Sequence, residues 1–183
     1  MKKVLVPLAD GFEDIEAVSI IDVLRRGEVD VVTAALADEP AATSAHGIRM
    51  TADARLADVL EEEYDAIILP GGGEGTEKMK NCSPLLERLR RQKDDGRLVC
   101  AICAAPTVLE EADVIDQESV TCYPSCAPAM GRRVDNVPVI ADGQIITGQG
   151  PGSAMLFALV VLAHLSGHKV AHRVANGMIA EFN

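Results

Sequence analysis

Tryptophan is absent from this 183-residue sequence, and aromatic residues make up 3% of it. Aliphatic side chains must therefore supply the packing, and a chain of this length can bury a sizeable core. Basic residues are also few, because 17 Lys and Arg stand against 28 Asp and Glu for a net charge of −11. That balance argues against nucleic acid and against an anionic membrane surface as partners, since both attract a basic surface.

Long hydrophobic runs are absent as well. The longest apolar run, at residues 154–165, is too short to cross a bilayer. The apolar stretch near the start is too short for a signal peptide and reaches charged Asp10 at once. We therefore expect a cytoplasmic protein, and its length predicts one domain over residues 1–183.

The five cysteines are an odd number in a chain without a secretion signal, which favours reduced thiols over a disulfide framework. Cys100-x-x-Cys103 resembles a redox pair, and together with Cys122-x-x-x-Cys126 it resembles four zinc ligands. A strand at residues 98–102 weakens both interpretations, because residues three apart on a strand point to opposite faces, roughly 10 Å apart. We expect no dithiol, no metal site and no cofactor.

Strand and helix patterns alternate along the chain. Short apolar runs predict strands at residues 3–8, 30–36, 64–69, 98–102, 119–122, 137–141 and 144–147, with an edge strand or hairpin arm at 47–52. Helical spacing and end signals predict helices at residues 14–27, 56–62, 83–96, 104–112, 153–165 and 169–180. This order predicts an open, doubly wound, mostly parallel α/β sheet, whose sites lie at the carboxyl ends of the strands.

The chain is organised around residues 98–109, where a buried strand is followed at once by a helix. Cys103 stands at the corner between them, on a tight turn that pushes its side chain out of the sheet. The positive end of the helix dipole favours a thiolate at this position, which predicts a nucleophilic or redox-active cysteine. The alternative is a small, buried, apolar cysteine.

Two further features fall at the same edge of the sheet. Gly71-Gly72-Gly73 follows a buried strand without a dinucleotide or P-loop pattern; it either permits close backbone packing or supplies an N–H to an oxyanion beside Cys103. Glu16, at the start of the first helix, either complements the helix dipole or reaches Cys103. In the second case an ionised carboxylate would oppose a thiolate, whereas a protonated one would donate a hydrogen bond to it.

Four segments resemble the DJ-1/ThiJ/PfpI superfamily and its DJ-1/YajL-like branch, namely residues 10–16 (DGFEDIE), 69–72 (LPGG), 101–106 (AICAAP) and 150–152 (GPG). They have the family's order and spacing, and the resemblance covers the whole chain. It implies a flavodoxin-like three-layer α/β/α sandwich, usually homodimeric, with Cys103 as the nucleophile and Glu16 as its protonated partner. It also implies that Gly72 and Ala104 supply backbone N–H groups to a pocket that Gly71 lines.

The sequence departs from that family at several pocket positions. Tyr123 stands before a proline where close relatives often have a histidine, and it either offers a weakly acidic hydroxyl or only packs. His46 and Gln149 stand where relatives of this branch have arginines, which alters the anion binding expected of the pocket. Ala104 replaces the histidine that follows the nucleophile in PfpI-type peptidases, so peptidase activity is not expected.

Family members are described as glyoxalases, as deglycases of glycated protein and nucleotides, and as oxidative-stress sensors and chaperones. The resemblance therefore implies a cofactor-independent cysteine enzyme that acts on reactive carbonyls, from methylglyoxal to glycated thiols or amines. The alternative is a redox sensor or chaperone in which Cys103 is oxidised to a sulfinic acid. A biosynthetic role is suggested only by an old family label, and no residue supports it.

Overall fold

The centre of the fold is a seven-stranded sheet, in a computed structural model that describes residues 1–182. The strand order is β5-β2-β1-β6-β7-β9-β8. The strands are β1 (Lys3–Leu8), β2 (Asp30–Ala35), β5 (Ala54–Arg55), β6 (Ala66–Leu69), β7 (Leu98–Ile102), β8 (Val139–Asp142) and β9 (Ile145–Gly148), and β3 (Ala41–Thr43) pairs with β4 (Arg49–Thr51) in a separate hairpin. All pairs in the large sheet are parallel except β8 with β9.

Helices connect the strands and cover both faces of the sheet. They are α1 (Asp14–Arg26), α2 (Leu56–Val59), α3 (Gly73–Lys80), α4 (Ser83–Asp94), α5 (Pro106–Glu111), α6 (Ala154–Ser166) and α7 (His168–Met178), with short 3-10 turns at Pro124–Met130 and Pro151–Ser153. Among the helices of residues 1–182, none combines the length and the apolar character that a bilayer crossing needs.

Two hydrophobic cores lie on opposite faces of the sheet. One packs α1, α6 and α7 against the sheet, and the other packs α2, α4 and α5. Their fully buried large side chains are mostly aliphatic, with only Tyr64, Phe12 and Phe157 as aromatic members among the largest. The predicted α/β/α sandwich with a doubly wound, mostly parallel sheet is therefore confirmed.

The structure differs from the sequence predictions in local detail. Residues 119–122, predicted as a strand, do not join the sheet ladder; Thr121 instead bonds through its backbone N–H to Thr147 Oγ1 and through its hydroxyl to the Val137 carbonyl. Helix α3 was not predicted, because its two glycines and lysine-rich end hide a short apolar face. Ser83 is the first helical residue of α4 and not its N-cap, a position that Cys82 occupies without a side-chain bond.

The carboxyl ends of four central strands meet at one edge of the sheet, as the parallel pairing requires. The loop after β1 leads into α1, residues 70–72 follow β6, and Cys103 follows β7. Strand β9 ends beside β7, with Ile102 opposite Gly148. The candidate site residues that follow central strands in the sequence therefore all lie at this edge.

Candidate active site

Cys103 adopts a strained backbone conformation at the end of β7. Its φ is +65°, in the left-handed region that a residue with a side chain seldom occupies. Two backbone hydrogen bonds hold it there: the Cys103 N–H donates to the Gly148 carbonyl at 2.9 Å, and the Tyr123 N–H donates to the Cys103 carbonyl at 2.8 Å. The predicted corner is present, and the residue is 8% exposed.

Glu16 is a fully buried acid on the first turn of α1, with 0% of its surface exposed. Its Oε2 accepts a hydrogen bond from the Gly71 N–H at 2.8 Å, whereas its Oε1 has no hydrogen-bond partner among residues 1–182. The ordinary helix-start role belongs to Glu13, whose Oε2 accepts from the Glu16 N–H at 2.8 Å. Glu16 is therefore free of a capping role and lies in the interior.

Gly71 brings the thiol and the acid together, because it has no side chain to separate them. A Cβ at this position would lie 2.7 Å from the Cys103 Cβ and 2.7 Å from Glu16 Oε2. Both distances are shorter than real side chains tolerate. The absence of a side chain at residue 71 is thus a steric condition for the Cys103–Glu16 pair.

Backbone N–H groups approach the sulfur from two loops. Burial raises the pKa of Cys103, whereas the backbone N–H groups of Ala104 and Gly72 act in the opposite direction and favour its ionised form. Gly72 has φ +95°, and a Cβ there would lie 2.2 Å from the Gly11 carbonyl oxygen. Only glycine fits this packing, and the conformation of Gly72 aims its N–H at the corner.

Burial and charge set the ionisation of the pair. Burial raises the pKa of Glu16 to about 7, against the opposing hydrogen bonds from Gly71 and Cys103. Burial, followed by the charge of Glu16, raises the pKa of Cys103 to about 12. The helix dipole that we expected to favour a thiolate at Cys103 is thus opposed by two effects, burial and the charge of Glu16, and α5 is only 6 residues long.

The two groups titrate together, because each lies within the other's field. Between a pKa of about 7 and a pKa of about 12, the pair holds one proton and one negative charge. That single proton lies either on the sulfur, with a charged carboxylate beside it, or on the carboxyl, with a thiolate beside it. A thiolate at Cys103 consequently requires that Glu16 keep the proton.

Tyr123 and Gln149 lie together in a groove beside the corner. The groove has a volume of about 500 Å³, and both residues line it. The Gln149 Nε2 donates to Asn136 Oδ1 at 2.5 Å. Asn136 was not a candidate from the sequence, because it lies 13 positions from Gln149 in an irregular segment that carries no motif.

His46 lies elsewhere than the predicted pocket position implies. It is at the tip of the β3–β4 hairpin, its side chain is 73% exposed, and its Nδ1 pairs with Asp14 Oδ2 at 2.6 Å. That pairing raises the pKa of His46. Within residues 1–182, its recorded side-chain contact is thus to the start of α1 and not to Cys103.

One group of side chains has metal-ligand chemistry. Glu13, Asp14 and His46 place ligand atoms within 4.8 Å of one another. Their hydrogen bonds already use these atoms, because Glu13 caps α1, and Asp14 accepts from both Ser44 and His46. We assign no metal to this group. The five cysteines are all free.

A strained cysteine at the end of a central strand, beside a buried acid, defines a class of α/β proteins with a thiol at a strand-to-helix corner. Comparison with known proteins gives the family. The DJ-1/PfpI family model matches residues 2–164, and the chain belongs to that family. This confirms the resemblance that the four sequence segments indicated.

The relatives align with all or most of the length of this chain. "Protein DJ-1 homolog B" of Arabidopsis thaliana is 40% identical over all of this chain, and "Glutathione-independent glyoxalase DJR-1.2" of Caenorhabditis elegans is 38% identical over 90% of this chain and 88% of its own length. A structure described as "Toxoplasma gondii DJ-1, oxidized" superposes with a TM-score of 0.96 at 34% identity, covering both chains fully. The chain spans only 42% and 47% of the two Arabidopsis relatives.

Proposed function

We propose that this protein is a cofactor-independent enzyme that converts small 2-oxoaldehydes such as methylglyoxal to 2-hydroxy acids such as lactate. The observation that carries the proposal is the buried Glu16, whose Oε1 lacks a partner beside the Cys103 thiol. A buried carboxylate oxygen without a donor is costly, and a protonated carboxyl that donates to a thiolate removes that cost. The pair then offers a nucleophile and a proton carrier in one place.

The first step joins the sulfur to the substrate. The Cys103 thiolate attacks the aldehyde carbon, and the carbonyl oxygen becomes the hemithioacetal oxygen. The N–H groups of Gly72 and Ala104 stabilise the developing negative charge on that oxygen, as fixed backbone donors do in oxyanion sites. The strained turn holds the sulfur in position before the substrate arrives.

Glu16 then moves protons between the two substrate carbons. Glu16 is a carboxylate at this point, because it has given its own proton to the hemithioacetal oxygen. It removes the proton from the former aldehyde carbon and passes it to the ketone oxygen, which gives an enediol; the hydroxyl proton on the former aldehyde carbon then moves through Glu16 to the neighbouring carbon. The former aldehyde carbon becomes a thioester as the ketone becomes an alcohol. The oxidation of one carbon balances the reduction of the other, so the step needs no external oxidant or reductant.

Water completes the reaction by cleaving the thioester. The products are the 2-hydroxy acid as its carboxylate, one proton and the regenerated Cys103–Glu16 pair, so that one 2-oxoaldehyde and one water are consumed in each turnover. The same addition chemistry extends to hemithioacetals and aminocarbinols formed by glycated thiols or amines, which is the deglycase form of the proposal. The printed name of the C. elegans relative, a glutathione-independent glyoxalase, supports the small-molecule form.

The test is lactate formation from methylglyoxal by purified protein without glutathione. We expect that Cys103→Ala and Glu16→Gln each lose at least about 10²-fold in kcat/KM, because each removes a group that acts in the reaction. Cys126→Ser, which alters a half-buried thiol in a 3-10 turn, serves as the matched control. Lactate formation that survives Cys103→Ala, prepared in parallel to expose any contaminating enzyme, would refute the proposal.

A second candidate function is redox sensing, favoured by the donors that surround the sulfur. N–H groups of Gly72 and Ala104, together with a protonated Glu16, would hold the oxygens of a sulfinic acid at Cys103. Mass spectrometry after mild peroxide treatment tests this role. A sensor gains two oxygens at Cys103 before the other four thiols react, whereas uniform oxidation of the five cysteines argues against it.

We further propose a homodimer in which the exposed face of α1 packs against a second copy. Ile15 and Val18 are 57% and 49% exposed one helical turn apart, and Ile48, on the hairpin that docks on the start of α1, is 56% exposed. Light scattering after gel filtration tests this, with Ile15→Glu expected to give a monomer. A parent protein that is monomeric in this measurement would contradict the proposal.

We also propose a cytoplasmic location, because the five free thiols suit a reducing compartment.

A further inference from the structure

A groove beside Cys103 differs chemically from the rest of this acidic molecule. Nine residues line it, and none of them carries a charge. Its volume of about 500 Å³ is in the range of small-molecule sites. Cys103 is not part of the lining, but Tyr123, which is bonded to it through the backbone, is.

Backbone hydrogen bonds fix the groove to the reactive corner on two sides. Tyr123, on one wall, donates its N–H to the Cys103 carbonyl at 2.8 Å. The opposite wall begins one residue after Gly148, whose carbonyl accepts the Cys103 N–H at 2.9 Å. Movement of the groove relative to the sulfur is therefore restricted, which suits a site for the part of a substrate that does not react.

The walls of the groove provide an aromatic face and amide groups. The Tyr123 ring is held at Gly150, where a Cβ would lie 3.3 Å from its Cδ2, and the residue is 45% exposed. Opposite it, the hydrogen bond between Gln149 and Asn136 uses one amide hydrogen and one oxygen. The Gln149 oxygen and the Asn136 amide remain to bond a ligand. The Gln149 N–H anchors to the Pro138 carbonyl at 2.9 Å, which fixes this wall.

We propose that this groove binds the uncharged, flat substituent of an aryl 2-oxoaldehyde, stacked on Tyr123 with its carbonyl end at Cys103. This inference rests on the proposed function for the chemistry at the sulfur. A carboxylate or phosphate on that substituent would find no cation in the groove. It would also lose its hydration there and be repelled by a protein of net charge −11.

Binding is measured first, without turnover, on the Cys103→Ser protein by NMR titration. The probes are 4′-methylacetophenone and 4-acetylbenzoate, which differ mainly in charge. We expect the neutral probe to bind at least about tenfold more tightly. Tyr123→Ala should lower the affinity for the neutral probe by about threefold to tenfold, because the aromatic face is lost. Gln149→Arg should tighten binding of the anionic probe by at least about threefold, through a charge-assisted bond. Equal affinities for the two probes, or unchanged affinities in both variants, overturn the proposal.

Turnover is measured second, with phenylglyoxal and 4-carboxyphenylglyoxal on proteins that retain Cys103. We expect the neutral substrate to have the larger kcat/KM, and Gln149→Arg to narrow the difference mainly through KM. Gln117→Arg, which adds the same charge at an exposed glutamine outside the groove, should leave the difference as it is. Probe binding with the expected preference but no turnover rejects the proposed function and keeps the groove. Turnover without charge preference keeps the function and rejects the groove.

Discussion

The contact at Gly71 gives a sharp test of the Cys103–Glu16 pair. In Gly71→Ala, the new methyl group would lie 2.7 Å from both the Cys103 Cβ and Glu16 Oε2, and 2.9 Å from the Ile102 carbonyl oxygen. The first two distances are about 0.7 Å short of ordinary van der Waals contact, which begins at 3.4 Å. The thiol and the acid must therefore separate, since Ile102 is the last residue of a central strand and cannot yield.

A displacement of this size costs activity more than stability. Misplacement of reacting groups by about 1 Å costs on the order of 10²-fold in rate, so we expect kcat/KM for methylglyoxal to fall by about that factor. Overpacking costs about 1–3 kcal/mol in unfolding free energy, partly offset by about 0.4–1 kcal/mol from a stiffer unfolded chain. The protein should thus remain folded at 25 °C, with a lower urea midpoint.

The matched control is Gly73→Ala, two residues further along the chain. A Cβ at Gly73 meets nothing within 4 Å, and this residue is the first of α3. We expect unchanged kcat/KM and an unchanged or slightly higher urea midpoint, because alanine is the better helix former. If Gly71→Ala keeps kcat/KM within about threefold of the parent protein, the close approach of Cys103 and Glu16 is not what supports activity.

Three further outcomes follow from the buried charges. The rate of Cys103 alkylation by iodoacetamide should rise in a step near pH 7, where the Cys103–Glu16 pair loses its first proton. Glu16→Gln should move that step to higher pH. A step that stays at the same pH in the variant would show that the two groups do not titrate together. Because the pKa of Glu16 is raised from 4.5 to about 7 in the folded protein, its contribution to stability is present below pH 4.5 and is lost by pH 7. Between pH 4.5 and pH 7, the free energy of unfolding of the parent protein should therefore fall by up to about 3 kcal/mol relative to that of Glu16→Gln. If the two proteins, unfolded in urea, show the same dependence of this free energy on pH, the reasoning is contradicted. Arg88 is 4% exposed and donates hydrogen bonds to the carbonyls of Leu60 and Glu62. Arg88→Met should therefore lower the free energy of unfolding in urea by about 2–4 kcal/mol and leave kcat/KM unchanged. A decrease below about 0.5 kcal/mol would mean that water satisfies both carbonyls.

The fold was predictable because its central strands are continuous apolar runs. β1, β6 and β7 are buried on both faces, and such strands need no alternation to be recognised. Residues 119–122 (SVTC) alternate polar and apolar side chains as a strand does, yet hydrogen bonds of Thr121 to Thr147 and Val137 replace a ladder there. Local pattern cannot distinguish these two cases, because the difference lies in which strand edge is free.

The candidate site was predictable where a residue's position along an element determines its place in space. Cys103, Gly71 and Gly72 follow central strands, so parallel pairing alone brings them to one edge. The tie between His46 and Asp14 spans 32 positions and depends on a hairpin docking on α1, which no local spacing reveals. The groove depends on Asn136 meeting Gln149 beyond the open end of the β8–β9 hairpin, where the strand pairing stops at Val139 and Gly148 and the hairpin pattern no longer determines side-chain contacts.

The reactivity that we propose for Cys103 depends more on where the Cys103–Glu16 pair holds its proton than on a helix dipole. α5 has 6 residues, and burial raises the pKa of Cys103 well above that of an ordinary thiol. The proposed reaction needs a proton on the desolvated Glu16, whose pKa burial raises to about 7, because a neutral carboxyl can donate to the sulfur where a charged one repels it. An acid whose Oε1 had a second backbone donor would ionise at lower pH and leave the proton on sulfur. In the proposed reaction, the Glu16 Oε1 without a partner among residues 1–182 is therefore what favours a proton on the carboxyl and a negative charge on the sulfur.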